Sequence, residues 1–98
     1  MLDKDNRLTL GMDLLIAGGL KLPQEMYIYY EPEQKRLALK KANCFSNSYF
    51  VKRQTIDEKG RIVIPASVRN AFPEATYLPV VMWSEIYILI IEHEKKSE

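Results

Sequence analysis

Across 98 residues there is one cysteine, Cys44, and one histidine, His93. A lone thiol closes no internal disulfide, and one thiol with one imidazole makes no zinc ligand set. Both residues read as structural or incidental, and no metal or cofactor is expected. Glycine is scarce too, at four residues, and none of them builds a glycine-rich phosphate loop. Without paired acids or a second histidine, no nucleophile and base can be assembled, so the sequence predicts a protein that is not an enzyme. No apolar run approaches the ~18 residues of a membrane span, and no signal-peptide pattern opens the chain. The expectation is a cytoplasmic protein without membrane contact.

What is present is ordinary globular composition, with 47% hydrophobic and 28% charged residues, sufficient for one domain with a modest core. The net charge of +1 says little, but its distribution says more. Nine basic residues fall between Lys35 and Arg69 (Lys35, Arg36, Lys40, Lys41, Lys52, Arg53, Lys59, Arg61, Arg69) against Asp57 and Glu58. Such segregation predicts a positive face on a nearly neutral protein, the footprint of a phosphate-backbone binder; the alternative is solvated charges pointing in different directions.

The densest signals run from Phe50 to Phe72. Asp57-Glu-Lys-Gly60 suits a tight turn, because glycine takes positive φ without steric cost and aspartate bonds nearby backbone. Arg61 to Ile64 reads as a short buried strand of β-branched residues. Pro65 ends it and opens a short helix over Ala66 to Ala71, with Val68 and Phe72 on the buried face and Arg69 and Asn70 nearer solvent. The stretch Phe50 to Ile56 reads as a leading strand.

The run Asp57-Glu-Lys-Gly-Arg-Ile-Val-Ile-Pro-Ala-Ser-Val-Arg69 resembles the core of the AbrB, SpoVT and MazE group of bacterial DNA-binding proteins. With its flanking strands, the likeness covers roughly the second half of the chain. It implies a mainly β fold with short helices, a swapped-hairpin, double-psi-like β-barrel, and a transcriptional regulator that binds double-stranded DNA as a homodimer. The MazE likeness also implies an alternative, an antitoxin or protein-interaction module with a toxin as partner, although few residues follow the last strand.

The opening residues echo this motif. Asp3-Lys-Asp-Asn6-Arg7-Leu-Thr-Leu10 lies over Asp57 to Ile64 with Asn6 in place of Gly60, and Met12 to Ala17 takes the place of the helix, closed by Gly18 and Gly19. The reading is one domain over 1–98 made of two units. The first, degenerate unit covers 1–41, a polar connector 42–49, and the second unit 50–94. Each unit continues into two strands: Met26 to Tyr30 and Arg36 to Lys40 around a turn at Glu31 to Lys35, then Tyr77 to Trp83 and Ile86 to Glu92 around Ser84-Glu85. Their aromatic residues are expected to build sheet and core, with a base-stacking platform the less favoured reading. Two Asp-x-x-x-Arg units in tandem are similar to the MraZ proteins. The first unit has no leading strand, which predicts an open sheet edge that another chain could cover.

Mapped through the resemblance, the DNA-binding candidates are Arg61, Arg69, Lys59, Arg53 and Lys52, with Arg7 and Lys4 as counterparts from the first unit. Arginine offers a planar fork of donors for phosphate or guanine. Arg61 has a second reading as a partner of Asp57 that fixes the turn, and Lys52 and Arg53 as edge charges that discourage aggregation. Arg69 is expected to be exposed. Leu15 occupies its place in the first unit, so binding is expected to be asymmetric.

Overall fold

The computed structural model describes residues 2–42 and 49–93. Its elements are β1 (Arg7–Thr9), α1 (Met12–Ala17), β2 (Gln24–Glu31), β3 (Arg36–Lys40), β4 (Tyr49–Ile56), β5 (Arg61–Val63), α2 (Ala66–Ala71), β6 (Thr76–Met82) and β7 (Glu85–Ile91). The protein is mainly β, as expected. Strands β1 and β5 pair as an antiparallel ribbon, and the other five form an antiparallel sheet in the order β4-β2-β3-β7-β6.

Alternation along the strands decides the layers. Met26 and Ile28 of β2, Leu37 and Leu39 of β3, and Ile86, Ile88 and Ile90 of β7 are all buried on one face of the sheet. They pack in one cluster with Leu8, Leu10, Ile62 and Ile64 from the ribbon and with Leu15 and Val68 from the helices. Each such isoleucine or leucine contributes about 1.5–3 kcal/mol by leaving water, so this layer holds the ribbon onto the sheet. The opposite face carries a smaller group, Tyr29, Ala38 and Tyr87 with Tyr27, Val80 and Met82 beside them. Phe50 packs edge-on to Tyr29 at 5.5 Å, and the Arg36 guanidinium lies 4.1 Å over the Tyr87 ring. Tyr29 and Tyr87 belong to the sheet's packing, at 3% and 5% exposure, whereas Phe50 stands 55% exposed.

Both helices fall where the sequence places them. Helix α1 stops at a glycine-dependent cap: Gly19, at φ +68°, donates its N–H to Ile16 O, and the Leu20 N–H reaches Leu15 O. Several strand boundaries differ from expectation by one or two residues, as where β2 runs from Gln24 to Glu31, and two of the shifts are informative. Strand β4 begins at Tyr49, inside the expected connector, whose residues 43–48, with Cys44, lie outside the described residues. The β6–β7 turn is Trp83-Ser84 rather than Ser84-Glu85, with φ of +52° and +62°. Two consecutive left-handed residues make the two-residue turn that matches strand twist, so Glu85 is drawn into β7 opposite Met82.

Candidate nucleic-acid interface

The ribbon is entered by two turns with the same bonding, 54 residues apart in number. Asp3 Oδ1 accepts the backbone N–H groups of Asp5 and Arg7 at 2.8 and 2.9 Å, and its Oδ2 accepts Arg7 Nε at 2.9 Å. Asp57 Oδ1 likewise accepts the N–H groups of Lys59 and Arg61, and its Oδ2 accepts Arg61 Nε, each at 2.9 Å. Main-chain bonds repeat as well: Asn6 N–H to Asp3 O and Gly60 N–H to Asp57 O, both 2.9 Å. Asn6 and Gly60 hold φ at +61° and +76°, which is why these places take asparagine and glycine.

The two turns are tied together across the ribbon. Leu10 N–H donates to Gly60 O at 2.7 Å and Ile64 N–H to Asn6 O at 3.0 Å. Leu8 pairs with Ile62, and both point into the core, at 3% and 0% exposure. Arg7, Thr9, Arg61 and Val63 therefore lie on the other face of the ribbon. Arg7 opposes Val63 and Arg61 opposes Thr9, so the two arginines are diagonal neighbours, a relation in which residues stand roughly 7–8 Å apart. Lys4 and Lys59 stand exposed at the tips of the two turns.

The remaining predicted residues are placed elsewhere. Lys52 and Arg53 sit exposed on β4, at the edge of the large sheet, with Arg53 3.8 Å from Glu25. Four residues of extended chain separate Arg53 from Asp57, roughly 13 Å, so these charges flank the ribbon rather than join it. Arg69 departs from the expectation of an exposed contact: it is half-buried, and its Nε donates to Ile64 O at 3.0 Å. It lines a hollow of about 600 Å³ beside Asn6, Leu2, Phe72 and Tyr77. At the other end of the ribbon Leu15, its counterpart, covers Gly60, where a Cβ would stand 2.9 Å from Leu15 Cδ1. The long arginine accommodates the bulkier Asn6, and the leucine fits over the glycine.

The charge pattern along the chain is rearranged by folding. Of the nine basic residues between Lys35 and Arg69, five make ion pairs, four of them with acids outside that stretch: Lys35 with Glu92, Arg36 with Glu31, Lys40 with Glu85 and Arg53 with Glu25. The fifth is Arg61 with Asp57. Sequence segregation thus overstates the positive face, and on the ribbon's turns Lys4, Arg7, Lys59 and Arg61 are matched by Asp3, Asp5, Asp57 and Glu58. His93 is placed 2.6 Å from Thr76 Oγ1, and among the described residues no group of three or more metal-ligating side chains occurs. Among the described residues, no helix is long and apolar enough to cross a membrane.

The Asp3 and Asp57 carboxyls are held below the usual aspartate range, in each case first by the backbone N–H of the arginine four residues on. A carboxyl depressed by folding contributes stability above its unfolded pKa of about 3.9, and that contribution disappears as pH falls through the lower folded value. Urea unfolding between pH 7 and pH 2 is therefore expected to show a falling midpoint below about pH 4. Asp57→Asn, which keeps the shape but cannot ionise, should flatten part of that fall; an unchanged pH profile would show that the turn carboxyl is not coupled to folding.

No protein-family model matches the chain. No curated protein matches it, and no solved structure matches it.

Proposed function

We propose that the chain is a DNA-binding transcriptional regulator of the swapped-hairpin, AbrB type, built from two related units, 1–41 and 50–94, that close one barrel. The observation that carries this reading is the pair of equivalent Asp–Arg turns, which set Arg7 and Arg61 side by side on the outer face of the β1–β5 ribbon. Paired guanidiniums at that spacing suit a duplex backbone, where phosphates repeat every few ångströms and each neutralised one releases counterions. Acids oriented through Nε fix each arginine without occupying its whole fork.

The two halves contribute unequally. Arg61 is held by Asp57 through Nε at 2.9 Å, whereas Arg7 is held by Asp3 and also by Asp5 at 3.0 Å through a terminal nitrogen. Arg61 has more of its fork left for an outside acceptor. Lys59 and Lys4 add charge at the turn tips, and Lys52 and Arg53 supply a flanking contact.

Titration of a labelled duplex at 50 mM salt is expected to show binding that weakens steeply by 200 mM. Arg61→Ala should reduce the salt slope by about 1 and the affinity by roughly tenfold, with Arg7→Ala doing less. Absence of binding at 50 mM salt would overturn the proposal. It would also favour the protein-interaction reading, for which the neutralised charges of Lys35, Arg36 and Lys40 speak.

A further inference from the structure

We propose that the hollow beside Arg69 is a binding site for a small organic carboxylate with a hydrocarbon body, its acid group received by the Arg69 guanidinium. The inference does not rest on DNA binding, whose proposed surface is the outer face of the ribbon. It starts from a comparison among the arginines. Arg7, Arg36, Arg53 and Arg61 each form an ion pair with an acid of this chain. Arg69 forms none among the described residues, although it is half-buried. Its Nε donates to Ile64 O at 3.0 Å, which holds the guanidinium in place. The two terminal nitrogens, an edge of the fork that takes a carboxylate through two parallel bonds, are left without an acceptor among the described residues.

The hollow, at about 600 Å³, has the size of a small-molecule site. Among the described residues that line it, Arg69 is the only charged one; the Asn6 and Asn70 amides add neutral polar groups, and Leu2 and Phe72 give an apolar wall. Glu74, in the loop after α2, lines the neighbouring hollow instead. Tyr77 supplies a further donor. Burial pushes its phenol up, against the opposing charge of Arg69, so the hydroxyl keeps its proton. That hydroxyl donates to Phe72 O at 3.3 Å, longer than a hydroxyl bond usually runs, and is free to turn to a nearer acceptor. One positive charge among neutral donors matches a single negative charge. A carboxylate fits that description better than a doubly charged phosphate.

The other end of the ribbon shows that the fold does not require this hollow. There the equivalent place is filled by Leu15, 2% exposed and packed into the core against Gly60. Leucine is therefore a sufficient packing solution for this position. Withdrawing a guanidinium from water costs free energy unless it is paired, and one bond to a carbonyl pairs it only in part. An anion entering the hollow completes the pairing, with its hydrocarbon body laid against Leu2 and Phe72. Arginine and open space occur together at one end of the ribbon; leucine and close packing occur together at the other.

Phenylacetate is the probe, titrated into the isotope-labelled full chain without DNA and followed by nuclear magnetic resonance. The Arg69 Nε–H and the Asn6 and Asn70 side-chain amides should shift together and saturate, with a Kd on the order of 1 mM or tighter. Three controls separate the parts of the ligand: phenylacetamide lacks the charge, acetate lacks the ring, and inorganic phosphate is an anion of another shape. Each should bind roughly tenfold more weakly or worse. Arg69→Leu should weaken phenylacetate binding by about tenfold or more, with far-UV circular dichroism unchanged. Asn70→Asp, at an exposed position, leaves Arg69 in place and offers it a carboxylate of the chain's own, so it should weaken binding to a similar degree. No saturable shift up to about 20 mM phenylacetate overturns the proposal. Equal affinity for phenylacetamide or phosphate also overturns it, as does undiminished binding by either folded variant.

Discussion

Gly60→Ala is expected to destabilise the fold by about 2–5 kcal/mol, although it adds a single methyl group to a turn. Two costs combine. Gly60 holds φ at +76°, where a Cβ crowds its own carbonyl for about 1–2 kcal/mol. The new Cβ would also stand 2.9 Å from Leu15 Cδ1 and 3.1 Å from Leu10 O, the second of which is backbone tied to Gly60 itself. Leu15 is 2% exposed and has little freedom to retreat, so overpacking adds a further ~1–3 kcal/mol. At about 4–8 °C per kcal/mol for a chain of this size, thermal unfolding should move down by about 8 °C or more. Asn6→Gly is the control: Asn6 already holds φ +61° beside Arg69, and relieving it should change stability by less than about 1 kcal/mol. Equal and small effects at both positions would mean that the two turns are not packed differently.

The contrast between those turns also shows what could be read from residues alone. The helices Met12–Ala17 and Ala66–Ala71 were legible because their signals are local: an extended residue before each start, apolar spacing, and glycine or proline at the ends. The turns were legible for the same reason, since aspartate and glycine or asparagine at fixed offsets dictate the backbone within five residues. Trp83-Ser84 was not, because tryptophan favours strands and the left-handed turn is imposed by the register of β6 on β7. Charge was misleading for a tertiary reason: Glu92, Glu31, Glu85 and Glu25 reach their basic partners only across strand pairs or between the ends of neighbouring elements. The pairing of β1 with β5, which sets Arg7 beside Arg61, joins residues 54 apart in number and is likewise a product of the whole fold. The site residues could be named from the sequence, but which of them share a face could not.

Exchanging the two counterparts at the ends of the ribbon gives opposite expected results. Leu15→Arg places a charge where the side chain is 2% exposed and pressed against Gly60, with the core on its other sides. A guanidinium there has neither water nor a carboxylate, so the expected loss is at least about 3 kcal/mol, close to unfolding for a domain of this size. Arg69→Leu runs the other way. It removes one bond to Ile64 O, worth about 0.5–1.5 kcal/mol, and lets an apolar side chain fill a hollow that already contains Leu2, Phe72 and Tyr77. The net change should stay within about 1 kcal/mol by urea unfolding. Because that variant folds, it separates support from contact in the proposed function: Arg69→Leu should weaken duplex binding less than Arg61→Ala, whose side chain lies on the outer face of the ribbon. A loss from Arg69→Leu equal to or greater than that from Arg61→Ala would move the centre of the interface from the ribbon to the hollow beside Asn6.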